Sequence, residues 1–251
     1  MESISHFIGK PYLEFTELDS TNTFLQHWAA EENLPEGAAV STLFQHQGRG
    51  QRGTSWLSQP GENILTSILL YPQFLKPDEQ FWLSKTIALG VKDFIQDFLP
   101  TENVKIKWPN DIYVNQEKIA GILIENTLQG NQHKNSIIGI GININGLDEN
   151  LVKATSLQKI TGRFYDLKHL LPTLYMQIEK NYILLKNGQK NTIEAFYSQS
   201  LYGLGEELHF MDNISQTGFR GIIKGTNPAG ALCVQTDAGL RTFNLKEITL
   251  L

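Results

Sequence analysis

Residues 136–145 constrain the fold more than any other part of this 251-residue chain. Isoleucines occupy every second position of this run, and the positions between them are small or polar: Ile138, Ile140, Ile142 and Ile144 against Gly139, Gly141 and Asn143. A period of two predicts a strand whose apolar face packs on a core. Glycines on the other face carry no side chain, so a ligand can approach the backbone there. We therefore expect a sheet with a ligand-binding surface.

The surrounding patterns predict an α+β fold. Apolar residues at helical spacing predict a helix between Pro77 and Pro100, another capped by Asp166, and a short one that ends near Leu201. A first helix is expected after Ser20. Strands are predicted at residues 12–18, 38–44, 63–71 and 104–108, and a hairpin at 111–125. Short β runs with turn residues between them follow from residue 203. These patterns predict a mixed sheet flanked by helices at residues 1–202 and a small barrel-like β domain at 203–251.

The composition of the chain excludes several classes of function. The chain has 41% hydrophobic residues, a net charge of -5 and a single cysteine, Cys233. An acidic chain is a poor match for the phosphate backbone of nucleic acid. One cysteine cannot form an internal disulfide, and Cys233 is expected to be a buried structural residue. The histidines are scattered without the spacing of metal ligands. The sequence has no apolar run long enough to cross a membrane and no signal peptide, which predicts a cytoplasmic protein.

Residues 45–56, Q-H-Q-G-R-G-Q-R-G-T-S-W, combine glycines with two arginines in a predicted loop. Residues 104–108 place Lys105 and Lys107 on the face opposite their apolar neighbours, and Lys118 begins the second strand of the hairpin. With Asp111 and the glycine-lined strand, these groups suit an anionic, phosphate-bearing ligand. The known phosphate loops G-x-x-x-x-G-K-[ST] and G-x-G-x-x-G are not matched, and a G-x-S-x-G hydrolase elbow is missing.

Residues 45–56 resemble the biotin-binding loop of biotin protein ligases, Q-x-x-G-R-G-x-x-G-x-x-W. Four further segments are similar to that family and follow in its order: D-S-T-N at 19–22, K-W-P-N-D at 107–111, K-I-A-G-I-L at 118–123 and G-I-G-I-N at 139–143. The resemblance covers residues 13 to about 200. It implies a class II synthetase-like catalytic domain followed by an SH3-like C-terminal domain. The family's DNA-binding domain is not expected, because the first catalytic strand begins near Tyr12.

The resemblance also implies site residues. Biotin is expected to contact a polar cluster, the loop and the glycine-lined strands, namely Ser20, Thr21, Gln45, Gly48, Arg49, Trp56, Lys118, Gly121 and Gly139. ATP is expected to contact Arg49, Arg52, Trp56, Lys107, Asn110, Asp111, Lys118 and Asn143. The catalytic groups among them would be Lys118, Arg49, Lys107 and Asp111. Gln51 and His46 depart from the residues that many relatives carry at these positions.

The implied activity is ATP-dependent attachment of biotin to a lysine of a biotin carboxyl carrier protein through biotinyl-5'-AMP. Mg²⁺ is expected to enter with ATP rather than through a dedicated protein site. A homodimer is compatible with exposed strand edges. Two alternatives stay open from the sequence. A lipoate ligase or octanoyl transferase shares the fold, and a non-catalytic biotin or nucleotide sensor belongs to another functional class.

Overall fold

A seven-stranded mixed sheet forms the centre of the molecule. The computed structural model describes residues 6–130, 132–148 and 152–251, without the side chain of Arg52. The strands of the sheet are β1 (Tyr12–Leu18), β2 (Ala39–Gln45), β3 (Ile64–Leu70), β4 (Val104–Lys107), β5 (Asp111–Val114), β6 (Glu117–Gln129) and β7 (Gln132–Ile142). The strand order is β1-β2-β3-β7-β6-β5-β4, and β1 and β2 pair in parallel whereas the other neighbours are antiparallel.

Five helices accompany this sheet: α1 (Thr21–Glu31), α2 (Phe81–Phe98), α3 (Leu157–Thr161), α4 (Leu167–Lys186) and α5 (Lys190–Ser200). The α2 helix packs along α4 and also contacts α5, and its apolar side chains join the isoleucines of β7 in the main core. A smaller core lies between α1 and the β2 end of the sheet. No helix among the described residues is long and apolar enough to cross a membrane.

A second, five-stranded sheet follows α5. Its order is β11-β10-β9-β8-β12, with β8 (Glu207–Asp212), β9 (Thr217–Thr226), β10 (Leu232–Thr236), β11 (Gly239–Phe243) and β12 (Ile248–Leu250). All of its pairs are antiparallel. Buried residues of this sheet, such as Phe210 and Val234, belong to the same apolar cluster as the helices of the first sheet. The division at residue 203 and the SH3-like assignment stay predictions.

The predicted α+β class is confirmed, and the differences in detail are local. The strand predicted at 136–145 ends at Ile142 and begins earlier, at Gln132, because its hairpin with β6 extends beyond the start of the isoleucine pattern. Helix α3 and strand β12 were missed, since each is too short to show a period. The expectation that Cys233 is buried was wrong. It is partly exposed, because it lies on β10 between the buried Leu232 and Val234 and points to the other face.

Candidate functional site

A cleft of about 800 Å³ lies over the glycine-bearing strands, between the first sheet and the second. One side is formed by the start of α1 and the loop after β2. The floor comes from β6 and β7, and a charged side comes from residues 107–111 with Lys118. The far wall comes from the second sheet. The segments singled out in the sequence therefore meet at one place although they are far apart along the chain.

A buried polar cluster closes one end of the cleft. The Thr21 backbone N–H donates to Gln45 Oε1 at 2.8 Å, and the Thr21 hydroxyl donates to the same oxygen at 3.1 Å. The Ser67 hydroxyl lies 2.7 Å from Thr21 Oγ1. Ser20 begins α1 as its N-cap. Because the Gln45 oxygen accepts both bonds from Thr21, the amide nitrogen is the donor that Gln45 can offer to a ligand.

The floor of the cleft is formed by glycines, which have no side chain. A Cβ built on Gly141 would lie 2.3 Å from Trp56 Cε2, and one on Gly121 would lie 2.9 Å from Trp56 Cζ3. Gly121 and Gly141 are direct partners in the β6–β7 pairing. The indole of Trp56 therefore lies flat against two adjacent strands. A Cβ on Gly139 would lie 2.4 Å from Asn22 Oδ1, so this glycine makes room for the asparagine.

Residues 48–56 fold back on themselves. The backbone N–H of Trp56 donates to Gly48 O at 2.9 Å, and the backbone N–H of Gly50 donates to Thr54 O at 2.7 Å. Gly48 is required for this closure, because a Cβ there would lie 2.5 Å from the Trp56 carbonyl oxygen. Arg49 points into the cleft and forms an ion pair with Glu125 at 2.8 Å. The loop thus brings a cation and an indole to the floor.

Lys118 and Asp111 form the central charged pair of the cleft. Lys118 Nζ lies 2.7 Å from Asp111 Oδ1 and 5.6 Å from the centre of the Trp56 ring. Asp111 opens β5, and Lys118 lies near the start of β6, so a short hairpin fixes their separation. About a third of the Lys118 side chain is exposed, so the ammonium is accessible to a ligand that enters the cleft.

Lys107 stands beside this pair. Its Nζ donates to the Tyr113 hydroxyl at 3.2 Å and lies 4.8 Å from the centre of that ring. Burial raises the pKa of Tyr113 above its ordinary value and the Asp111 charge raises it further, while Lys118 acts in the opposite direction. Tyr113 is therefore neutral at physiological pH and accepts the hydrogen bond from Lys107.

The second sheet supplies a wall that sequence reasoning did not predict. Asn213, Lys246 and Thr249 line the cleft together with apolar residues of β8, β9, β10 and β12. Trp108 Nε1 donates to Gly230 O at 2.9 Å and ties the charged side of the cleft to this sheet. Nothing in the local pattern of residues 203–251 indicates which face meets the first sheet, so no sequence signal was available.

Most of the predicted site residues line this cleft: Ser20, Thr21, Gln45, Arg49, Trp56, Lys107, Asn110, Asp111, Lys118, Gly121 and Gly139. Gly48 does not line the cleft but allows the loop to close against the Trp56 backbone. The side chain of Arg52 lies outside the described part of the structure.

Asn143 does not line this cleft, and its expected contact with ATP stays a prediction. Strand β7 ends at Ile142, and the buried Asn143 amide instead donates to Thr155 O at 3.1 Å. Sequence reasoning also missed Asn22, Tyr113 and Glu125. Asn22 could have been found as a neighbour of Ser20 and Thr21.

Comparisons with known proteins agree with this geometry. Residues 12–143 match the model of the biotin/lipoate A/B protein ligase family. The chain is 28% identical over 247 residues to the bifunctional ligase/repressor BirA of Bacillus subtilis, which covers 95% of this chain and 74% of that protein. It is 29% identical over 242 residues to the biotin–[acetyl-CoA-carboxylase] ligase of Paracoccus denitrificans, covering 92% and 96%.

A solved structure is similar over nearly the whole chain. The biotin protein ligase from Aquifex aeolicus, in complex with biotin and ATP, superposes with a TM-score of 0.79 at 28% identity, covering 96% of this chain and 99% of that one. The resemblance to biotin protein ligases is thereby confirmed, together with the prediction of a ligase enzyme. The match to the family model spans more than half of the sequence and includes the loop, the charged hairpin and the glycine-bearing strands. The chain belongs to the biotin/lipoate A/B protein ligase family.

Proposed function

We propose that this chain activates biotin with ATP as biotinyl-5'-AMP and transfers the biotinyl group to a lysine of a biotin carboxyl carrier protein. The observation that carries the proposal is the glycine floor under Trp56, flanked by Lys118 on one side and by the Thr21–Gln45 cluster on the other. An elongated acid with a polar ring and an anionic end matches that order of groups. The relatives named as biotin ligases support the choice of acid.

The polar cluster would recognise the ring of the substrate. A ureido group carries a carbonyl and two N–H groups, and it loses free energy on burial unless each finds a partner. The Gln45 amide nitrogen and the Ser20 and Thr21 hydroxyls are partners of the required kinds. The bare faces of Gly121 and Gly141 hold the Trp56 indole, which would pack along the apolar chain of the substrate.

In the first step, a carboxylate oxygen of biotin attacks the α-phosphorus of ATP, and the bond to the pyrophosphate oxygen breaks. Negative charge accumulates on the phosphate oxygens during this step. Lys118 and Lys107 would stabilise that charge from fixed positions on strands, which avoids rearrangement during the reaction. Arg49 would offer the remaining donors of its guanidinium to the same anion.

In the second step, the neutral amine of the carrier lysine attacks the acyl carbon, and AMP leaves. Asp111 is the carboxylate among the lining residues of the cleft, and its pairing with Lys118 keeps it next to the reacting group. We propose that Asp111 orients the incoming amine. Trp56 and the loop would cover the mixed anhydride between the two steps and exclude water.

Magnesium is proposed to enter with ATP, where it would neutralise part of the phosphate charge. The described residues contain no group of three or more His, Cys, Asp and Glu side chains able to hold a metal. Asp111 is the residue of the cleft that could touch an ion carried by the nucleotide. The carrier protein, a homodimer and a cytoplasmic location also stay proposals.

The test is ATP–pyrophosphate exchange by the purified chain without carrier, supplied with biotin, lipoate, octanoate or no acid. Exchange that depends on biotin would support adenylation of that acid. Exchange with lipoate or octanoate and none with biotin would contradict the substrate assignment. A chain that binds biotin but exchanges with no acid would be a sensor, and the proposal of catalysis would fail.

A further inference from the structure

Glu125 is a charged residue beside the cleft that the mechanism above does not use. It lies on β6, two residues beyond Leu123 and four beyond Gly121, so the three share the face that forms the floor. Leu123 and Gly121 line the cleft, whereas Glu125 lies just past its rim. A carboxylate next to a site for anions repels them, so its presence there calls for a physical reason.

The Glu125 carboxylate is held from the protein side. Its Oε2 accepts a hydrogen bond of 2.8 Å from Asn22 Nδ2, and the same oxygen accepts one of 2.8 Å from Arg49 Nη2. Asn22 is buried, and its Oδ1 lies 2.6 Å from the Ser67 hydroxyl. The orientation of the Asn22 amide is therefore set at both ends, and it directs a donor to Glu125.

This contact continues the polar cluster at the end of the cleft. Ser67 lies within hydrogen-bonding distance of both Asn22 and Thr21, and Thr21 donates to Gln45. One connected set of hydrogen bonds therefore runs from the proposed ring-recognition residues to the guanidinium on the loop. Networks of this kind restrict the geometry of every member.

We propose that Glu125 is a positioning residue that holds Arg49 in the cleft before the ligand arrives, an inference that rests on the proposed function. Only Nη2 of the guanidinium binds Glu125, and Arg49 still lines the cleft in that state. A guanidinium has five N–H donors, so the other donors can bind the ligand's carboxylate or phosphate while Glu125 fixes the plane. Without Glu125, an arginine that is nearly half exposed would sample many rotamers and lose entropy on binding.

The two effects of Glu125 have opposite signs, which makes the proposal testable. Its charge alone weakens anion binding, so Glu125→Ala should tighten binding if Glu125 acts only through the field. If Glu125 positions Arg49, the same substitution should weaken binding. We expect E125A to weaken biotin binding by about tenfold, the loss of one charge-assisted hydrogen bond that orders Arg49. E125Q keeps an acceptor oxygen and should weaken binding by about threefold.

The experiment is titration calorimetry of the full chain with biotin. Glu17→Ala is the matched control, because Glu17 pairs with His46 of the same loop at 3.0 Å and both side chains are exposed outside the cleft. E17A removes the same charge and should bind biotin as the wild type does. E125A should also lower the melting temperature, because the buried Asn22 amide loses an acceptor, whereas E125Q keeps an acceptor oxygen there.

A double-mutant cycle separates positioning from other causes. If Glu125 acts through Arg49, adding E125A to Arg49→Ala should not weaken biotin binding any further. A further tenfold loss in the R49A background would overturn the proposal, as would tighter or unchanged binding by both E125A and E125Q when the wild type binds biotin. A wild type that binds no biotin would overturn the proposed function and, with it, this inference.

Discussion

The two sides of the cleft hold their cations by different means. Lys118 and its partner Asp111 lie on adjacent strands, so the backbone hydrogen bonds of the β5–β6 hairpin fix both positions. Arg49 lies on a loop, and its described ion pair is with Glu125, a side chain 76 residues further along the chain. A strand-borne group is in place without the ligand, whereas a loop-borne group depends on other side chains. We therefore expect strand changes to affect the chemical step and loop changes to affect binding.

The largest expected effect comes from the strand side. Lys118→Ala should lower the rate of biotin-dependent ATP–pyrophosphate exchange by about a thousandfold, because a fixed cation at the developing phosphate charge is lost. The measurement is kcat for exchange at saturating biotin and ATP.

Lys105→Ala is the control for this change. Lys105 stands on β4, but its ammonium donates to Gln199 O at 2.9 Å and does not line the cleft. K105A should keep the wild-type rate. Exchange by K118A within a few fold of the wild type would remove Lys118 from the mechanism and would break the distinction between the two sides.

The second effect tests the floor that both sides share. Gly141→Val would place side-chain atoms where the Trp56 indole lies, since even a Cβ would come within 2.3 Å of it. The strand cannot move, because β7 pairs with both β3 and β6, so the indole and the substrate chain must give way. We expect kcat/KM for biotin to fall by about a hundredfold, equivalent to about 2.7 kcal/mol.

Gly218→Ala provides a comparison for the floor. The nearest atom to a Cβ on Gly218 is Phe210 O at 3.8 Å, an ordinary contact. G218A should keep wild-type kinetics and a similar melting temperature. If G141V is equally active, the glycine floor is not where the acid binds, and the apolar chain of the substrate must lie elsewhere.

The third effect is specific to the loop. Trypsin should cleave after Arg49 in the free chain, because Arg49 is exposed on a loop and its ion pair with Glu125 is partly exposed. Saturating biotin should slow this cleavage about fivefold or more as the loop orders over the ligand. Cleavage elsewhere, for example after the exposed Lys168 on α4, provides the internal reference. An unchanged rate at Arg49 would contradict a covering role for the loop.

The features that the sequence predicted are those with short-range patterns. The isoleucine–glycine alternation of β7 predicted the bare floor, and the alternation around Lys107 predicted the charged face. Asn143 shows the limit of such reasoning. Its position continues the alternation, yet the strand ends one residue earlier and the side chain turns to Thr155. A period indicates a face only as far as the strand persists.

The features that the sequence did not predict depend on contacts between distant segments. From the sequence, Glu125 looks like an ordinary exposed strand residue. In the structure it accepts hydrogen bonds from Arg49 and Asn22, which lie in two other segments of the chain. The wall with Asn213 and Thr249 exists because the second sheet packs against the cleft, and no local pattern encodes that docking. The family resemblance identified the loop and the lysines, but it did not indicate what holds them.

The smallest expected effect concerns the second sheet, where the carboxylate of Asp212 accepts hydrogen bonds from several donors. Asp212 ends β8, and its carboxylate accepts hydrogen bonds from Arg241 Nη2 at 2.5 Å and from the N–H groups of Ile214 and Ser215. The Arg241 hydrogen bond, followed by that of Ser215, lowers the pKa of Asp212 to about 2. Its neighbour Asn213 lines the cleft, so this network supports the far wall.

Asp212→Asn should lower the melting temperature by no more than a few degrees near neutral pH, because the substitution keeps an acceptor oxygen but loses the charge. The folded pKa lies below the unfolded value, so the stabilisation is complete above about pH 5 and is lost as the pH falls through about 2. The difference in melting temperature between wild type and D212N should therefore close as the pH falls from about 5 towards 2. A difference that persists unchanged at pH 2 would show that the Asp212 charge does not stabilise the wall.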